Sequence, residues 1–294
     1  MAETRYSGVS VSVAVRLMTQ AFDAARLESP AVDVRRLIPA ALSYSKQDMI
    51  REPLRLVTES EALRLAEFET RRLSHEPVSR ILGTREFYGR EFAITPATLD
   101  PRPDSETLIE AALEIADARG LRKGPLRILD IGTGTGCLLL TLLAELPLAT
   151  GLGTDISTTA LEVAARNGAQ LGLQDRARWV NARSLEGVNE PFDLIISNPP
   201  YIPSADLSCL DPEVRLFDPA TALDGGADGL DIYREITGGL TKLPPFKALL
   251  FEVGAGQAAD VRALLGSHEM LKNAGIQTWQ DLGGHTRCVA LVTH

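Results

Sequence analysis

Nine residues predict a strand that runs into a glycine-rich turn: Ile128-Leu129-Asp130-Ile131-Gly132-Thr133-Gly134-Thr135-Gly136. Glycines permit a tight turn and let a ligand approach the backbone, because no Cβ stands in the way. No Lys-Ser/Thr pair follows the last glycine, which excludes a P-loop. Asp155 ends the next predicted strand, where a carboxylate can bind both ribose hydroxyls of an adenosine ligand. NAD-type folds share this acidic position, so Asp155 alone does not distinguish the two kinds of fold. Asp130, just before the turn, is either a hydrogen-bond acceptor for the loop or a direct ligand contact.

Strands and helices alternate outward from this turn. The strand-like runs are residues 126–131, 150–155, 177–181, 192–197, 248–253, 276–281 and 288–292. Helical stretches lie between most of them, which predicts a parallel sheet with helices on both faces. The link before the last strand contains Gly283-Gly284 and is too short for a helical crossover. We therefore expect the last two strands to pair antiparallel.

The N-terminal part of the chain has a different sequence pattern, with helical signals and few strand signals. Residues 11–75 show apolar positions at near-helical spacing, and Pro30, Pro39 and Pro53 divide them into short helices. Aromatic and branched residues surround Gly89, which predicts a β-hairpin. We predict a helical domain over residues 1–80, a hairpin linker over 81–103 and the α/β domain over 104–294.

Composition narrows the class of protein. The formal net charge of the 294 residues is −9, which argues against direct binding to a nucleic-acid backbone. No apolar run reaches the ~18 residues of a membrane span, so no membrane association is expected. The three cysteines are widely spaced and form no metal-ligand pattern with the four histidines. These features predict a cytoplasmic protein without a metal site.

A second motif indicates the reaction that the protein catalyses. The apolar strand at residues 193–197 ends in Asn198-Pro199-Pro200-Tyr201, and its two prolines make the segment stiff. A conjugated NH2 nitrogen is a poor nucleophile, because its lone pair is delocalised. The Asn198 side-chain oxygen and the Pro199 carbonyl can hold the two hydrogens and turn the lone pair toward a methyl donor. Tyr201 is expected to stack on the planar substrate group or to form a wall beside it.

Together these motifs resemble the release factor glutamine methyltransferases (the HemK/PrmC family) across nearly the whole chain. Three further stretches carry the resemblance more specifically: Arg102-Pro103-Asp104-Ser105-Glu106, the post-catalytic residues 211–214 and 222–230, and Phe251-Glu252-Val253-Gly254 with Gln257. The resemblance implies a class I methyltransferase fold: a Rossmann-like, seven-stranded, mostly parallel sheet whose last strands are antiparallel, behind a small helical N-terminal domain.

The resemblance also implies an activity and its residues. The activity is N5-methylation of the glutamine in the Gly-Gly-Gln motif of class 1 peptide chain release factors, which would dock on the N-terminal domain and hairpin. S-adenosyl-L-methionine, converted to S-adenosyl-L-homocysteine, would be bound by Gly132, Thr133, Gly134, Thr135, Gly136, Asp155, Arg183 and Asn198. The glutamine would be bound by Asn198, Pro199, Pro200 and Tyr201, with Asn198, Pro199 and Tyr201 in the catalytic roles.

Three positions depart from the family pattern. Ala182-Arg183 stands where the family usually has an acidic residue and then an aromatic one, so Arg183 is a weak candidate for adenine contact. His285-Thr286-Arg287 replaces a more usual Asp-Arg pairing, and Leu99-Asp100 puts a charge where an apolar residue is typical.

Three alternatives stay open at the level of sequence. An adenine-N6 or cytosine-N4 nucleic-acid methyltransferase would use the same chemistry on a flipped base, against the acidic balance of the chain. A ribosomal protein glutamine methyltransferase would use nearly the same catalytic domain. A non-catalytic cofactor-binding protein would be expected to have a damaged catalytic segment, and this one is intact.

Overall fold

The computed structural model describes residues 4–267 and 274–293. Its helices are α1 (Val11–Ala24), α2 (Pro30–Leu42), α3 (Lys46–Arg51), α4 (Glu59–Leu73), α5 (Val78–Leu82), α6 (Glu106–Ala118), α7 (Cys137–Glu145), α8 (Thr158–Gln170), α9 (Pro212–Phe217), α10 (Asp231–Gly239) and α11 (Ala258–Gly266). Its strands are β1 (Thr84–Phe87), β2 (Arg90–Ala93), β3 (Arg127–Ile131), β4 (Thr150–Asp155), β5 (Ala177–Asn181), β6 (Leu194–Ser197), β7 (Ala248–Glu252), β8 (Gly275–Gln280) and β9 (Thr286–Val292). None of the helices in these ranges combines the length and apolar character needed to cross a bilayer.

The main sheet has seven strands in the order β5-β4-β3-β6-β7-β9-β8. The first five are parallel, and β9 runs antiparallel to both β7 and β8. The predicted α/β fold and the antiparallel pairing of the last two strands are therefore confirmed. The sequence did not indicate that β9 would insert between β7 and β8, because the hairpin pattern fixes only its pairing with β8.

The chain divides into two compact units. One comprises Met1–Gly83 with Pro212–Phe217, and the other comprises Thr84–Asp211 with Asp218–His294. In the second unit, β3, β6 and β7 are buried on both faces, as expected for parallel strands covered by helices. Two apolar clusters, one on each side of the sheet, form its core.

The first unit is a helical bundle around its own apolar core, which includes Met18, Phe22 and Leu37. Its fourth helix starts at a capping box, in which Thr58 and Glu61 each satisfy the other's backbone amide. Helix α9 belongs to this unit although it follows β6 in sequence. Nothing in the local sequence pattern of residues 212–217 indicated this assignment.

The predicted hairpin is present as β1 and β2, joined by a two-residue turn at Tyr88-Gly89. Both turn residues have positive φ, 50° for Tyr88 and 70° for Gly89. A two-residue turn of this kind follows the right-handed twist of paired strands, and glycine adopts it without steric cost.

Candidate active site

The candidate site lies where the order of the parallel strands reverses. Strands β3 and β6 are neighbours, with Ile131 opposite Ser197, although the chain passes through β4 and β5 between them. The glycine-rich turn and Asn198 therefore lie side by side at the carboxyl edge of the sheet, where open α/β sheets bind ligands. The Ser197 hydroxyl donates to the Ile131 carbonyl at 2.8 Å, which holds the two strand ends together.

An open cleft of about 1100 Å³ occupies this edge of the second unit. Most of the sequence-predicted site residues line it: Gly132, Thr133, Gly134, Thr135, Asp155, Arg183, Asn198, Pro199 and Pro200. Gly136 and Tyr201 are not among the described residues that form its walls. The fold thus brings the predicted cofactor loop and the predicted catalytic segment to one cleft.

The glycine turn adopts a conformation that favours glycine. Gly132, Gly134 and Gly136 all have positive φ, between 55° and 78°. Gly136 is the N-cap residue of α7, and a Cβ at that position would lie 3.0 Å from the Trp179 ring. Packing against Trp179 is therefore the structural reason for this last glycine, while the turn before it faces the cleft.

The Asp155 carboxylate lies beside the turn. One oxygen accepts the Gly134 amide at 2.9 Å and the other accepts the Ser157 amide at 2.9 Å. Two carboxylate oxygens offer about four acceptor positions, so each keeps capacity for a hydroxyl donor. This pair of acceptor oxygens fits the two ribose hydroxyls of an adenosine ligand.

Asp130 is fully buried beneath the turn. Its carboxylate accepts the Thr133 hydroxyl at 2.6 Å, and the residue is not among the described residues that line the cleft. Burial raises the pKa of Asp130 to about 7, and the nearby charge of Asp155 adds to the shift. Two roles were predicted for Asp130, and its contact with Thr133 supports the role of hydrogen-bond acceptor for the loop.

Arg183 and Glu235 form one wall of the cleft. The Arg183 guanidinium donates to both carboxylate oxygens of Glu235, at 2.7 to 3.1 Å. Glu235 comes from α10, 52 residues further along the chain, so the sequence did not indicate this pair. This ion pair holds the planar Arg183 cation at the position where the family pattern usually has an aromatic residue.

The predicted catalytic segment, residues 198–201, is held by contacts from residues that follow it in the chain. The Gln257 side chain donates to the Tyr201 carbonyl at 2.8 Å, and the Gly225 amide donates to the Ile202 carbonyl at 2.9 Å. A Cβ on Gly225 would lie 2.7 Å from the Pro200 carbonyl oxygen. These contacts give a structural reason for the two stretches that carried part of the family resemblance.

The Tyr201 ring packs against the core of the second unit. A Cβ on Gly254 would lie 2.9 Å from the ring, so a glycine at that position leaves room for it. Burial, together with the charge of Glu252, raises the pKa of Tyr201 to about 12, and the phenol is neutral at pH 7. Stacking of Tyr201 on the substrate stays a prediction.

Two residues near Asn198 were not predicted as site residues. The Asn198 side-chain nitrogen lies 3.3 Å from the Ser105 hydroxyl oxygen. Glu252 follows Phe251, which is opposite Ser197 in the register of β6 and β7, so Glu252 is level with Asn198. Burial raises the pKa of Glu252 to about 7, against hydrogen bonds from Ser105 and Asn198 and the charge of Arg287. Both residues stood in the family motifs, but only the fold places them together.

The chain matches two family models. Residues 117–210 match the methyltransferase small domain, and residues 14–83 match the PrmC N-terminal domain. A release factor glutamine methyltransferase of Bradyrhizobium diazoefficiens is 45% identical over 97% of this chain and 95% of its own length. The chain belongs to the release factor glutamine methyltransferase family.

Other comparisons are consistent with this assignment. The release factor glutamine methyltransferase of Rhodospirillum rubrum is 47% identical over 90% of this chain and 79% of its own length. Among solved structures, the hMettl16 catalytic domain in complex with an MAT2A 3′UTR hairpin has a TM-score of 0.59. It is 16% identical and the match covers 88% of this chain and 92% of that one, so this likeness shows the methyltransferase fold alone.

Proposed function

We propose that this family member transfers a methyl group from S-adenosyl-L-methionine to the side-chain amide nitrogen (N5) of the glutamine in the Gly-Gly-Gln motif of class 1 peptide chain release factors. The observation that carries the proposal is the position of Asn198, which lines one cleft with the glycine turn and Asp155. The relatives' activity on release factors selects a glutamine amide from the planar NH2 groups that such a site accepts.

The chain's own residues provide orientation and acceptors. Bound S-adenosyl-L-methionine supplies an electrophilic methyl group on a sulfonium sulfur. The Asn198 side-chain oxygen and the Pro199 carbonyl accept the two amide hydrogens and turn the nitrogen lone pair toward that methyl group. Because the nitrogen becomes acidic only after methylation, the leaving proton can pass to water and no strong general base is required.

Cofactor contacts are assigned to the walls of the cleft. Asp155 accepts the ribose hydroxyls, and the turn from Gly132 to Thr135 lets the cofactor approach the backbone. Arg183, held flat by Glu235, stacks on the adenine in place of an aromatic ring. We assign Gly136 to the shape of the turn, because its α-carbon faces Trp179.

We propose that residues 1–80, with the hairpin linker 81–103, dock the release factor, and that residues 104–294 carry the methyl transfer. The release factor is the direct partner in this proposal, and neither a nucleic acid nor a membrane takes part. Cys137, Cys209 and Cys288 are free thiols, which agrees with the reducing cytoplasm as its compartment.

The substrate assignment is tested by label transfer. The purified chain is incubated with methyl-labelled S-adenosyl-L-methionine and, separately, a class 1 release factor, a ribosomal fraction, duplex DNA and an RNA hairpin. We expect label on the release factor, and none on a release factor whose Gly-Gly-Gln glutamine is replaced by alanine. Label only on a ribosomal protein or a nucleic acid would contradict the proposal.

The cofactor contacts are tested by affinity. A charged hydrogen bond contributes roughly 1.5–3 kcal/mol, so we expect Asp155→Asn to raise the Kd for S-adenosyl-L-homocysteine about 30-fold. Stacking of an exposed guanidinium contributes about 0.5–1 kcal/mol, so Arg183→Met should raise it about 3-fold. Isothermal titration calorimetry measures both, with Arg178→Met, another exposed and ion-paired arginine, as control. Unchanged affinity in either variant removes that residue from the proposed site.

A further inference from the structure

The Asn198 amide has two ends of nearly equal size, and only one of them suits the proposed reaction. Its oxygen accepts a hydrogen from the substrate NH2, whereas its own NH2 would oppose another donor. A half-turn about the last side-chain bond exchanges the two ends. A neighbour that prefers one end therefore decides how often Asn198 is ready to act.

Ser105 and Glu252 together supply such a preference, because a hydroxyl alone can either donate or accept. Its hydroxyl oxygen lies 3.3 Å from the Asn198 side-chain nitrogen and accepts from it. Ser105 is only 3% exposed, so water does not readily take the place of this contact. The serine comes from the turn before α6, and Asn198 comes from the end of β6, so the contact joins two separate elements of the second unit.

Glu252 lies on the same side of the amide. It is 2% exposed, it is level with Asn198 in the register of β6 and β7, and one of its oxygens, Oε2, has no hydrogen-bond partner among the described residues. Burial raises the pKa of this carboxyl group, and the neighbouring Ser105 and Asn198 side chains act in the opposite direction. A hydroxyl that accepts from Asn198 keeps its own hydrogen available to donate to Glu252, in a direction that runs from amide to hydroxyl to carboxyl.

The surrounding charges leave this arrangement intact. Arg287 is the cation whose charge acts on Glu252, and it is paired with Asp104 at 2.8 Å and with Asp281 at 2.9 Å. If the Asn198 amide were flipped, its oxygen would face the Ser105 oxygen and the Glu252 carboxyl group. The Ser105 hydroxyl could donate to that oxygen only by turning its hydrogen away from Glu252, which leaves the buried carboxyl group without that donor.

We propose that Ser105 and Glu252 are positioning residues that hold the Asn198 amide with its nitrogen inward and its oxygen toward the substrate. The inference rests on the proposed function, because it concerns how Asn198 receives the substrate amide. It assigns a role to two buried polar residues that neither bind the methyl group nor accept a substrate proton.

The test separates orientation from binding. With a release factor as substrate, we expect Ser105→Ala to lower kcat at least tenfold, while KM for the release factor and Kd for S-adenosyl-L-homocysteine stay within twofold. Ser105→Thr restores the hydroxyl and should recover most of the lost kcat. Glu252→Gln, which can turn its own NH2 toward the pair, should lower kcat with the same unchanged KM.

A matched control removes a buried hydroxyl that orients nothing. Thr141 in α7 is buried, and its hydroxyl has no hydrogen-bond partner among the described residues. Thr141→Val should leave kcat unchanged, and thermal melting of every variant monitors folding. If Ser105→Thr melts early because of its extra methyl group, Glu252→Gln provides the independent measurement.

Two results would overturn the inference. One is an unchanged kcat in Ser105→Ala, and the other is a loss that appears only as a higher KM or a weaker cofactor Kd. Failure of the proposed function looks different, because the unmodified chain would then transfer no label to the release factor. The two failures are therefore distinguishable in the same assay.

Discussion

Replacing Asn198 with alanine is expected to lower kcat about 1000-fold, the largest change in activity that we predict for this chain. Removing one preorganised polar group that acts in the transition state typically costs about 10²–10³ in rate. Alanine also removes the group that orients the amide nitrogen, and poor orientation lowers the rate further. Single-turnover label transfer to a release factor measures the effect directly.

Two companion variants make the result interpretable. Asn198→Asp keeps an oxygen where the substrate amide is held, but it places a second acceptor against Ser105 and Glu252. We therefore expect an activity between those of the alanine variant and the unmodified chain. Asn189→Ala changes an exposed asparagine in a loop outside the cleft and should leave kcat unchanged. A kcat for Asn198→Ala within tenfold of the unmodified chain would contradict the assigned role.

Sequence was sufficient to place the glycine turn, Asp155 and Asn198 together. Each follows a parallel strand, and the carboxyl ends of parallel strands meet at one edge of a sheet. The seven strands also lie within two residues of their predicted bounds. Four of them, β3, β6, β7 and β9, are marked by nearly continuous apolar runs. Sequence therefore predicts a structural feature where a short run of neighbouring residues determines it.

Sequence was insufficient where a contact joins distant parts of the chain. Ser105 and Glu252 are separated by more than a hundred residues, and only the register of β6 and β7 with the position of α6 brings them to Asn198. Arg183 and Glu235 meet for the same kind of reason. The orientation of the Tyr201 ring toward the core depends on Gly254, which no pattern in the catalytic segment reveals.

The departures from the family pattern have structural partners. Asp100, a charge at a usually apolar position, is buried with the Arg85 guanidinium 3.7 Å away, and its backbone amide donates to Asp218. Arg287, which follows the unusual His285-Thr286, pairs with Asp281 and Asp104. Each of these charges is accommodated by an oppositely charged neighbour.

Replacing Arg72 with methionine is expected to lower the free energy of unfolding of the helical unit by about 3 kcal/mol, the usual result of breaking a buried ion pair. Arg72 is 3% exposed, and it contacts Asp33 at 2.7 Å and Glu213 at 2.6 Å. Methionine fills similar space but leaves the Asp33 carboxylate buried without this cation. Guanidinium chloride unfolding measures the loss, and the exposed Arg64→Met on the same helix is the control.

A double variant tests the electrostatic reason for that loss. If an uncompensated carboxylate causes the destabilisation, adding Asp33→Asn to Arg72→Met should restore part of the stability, because the buried group is then neutral. Lost packing would give no such recovery. Because Glu213 lies in α9, hydrogen exchange of Pro212–Phe217 should also rise in Arg72→Met and not in Arg64→Met. Equal stability of the Arg72 and Arg64 variants would show that the buried ion pair makes no net contribution to the stability of the helical unit.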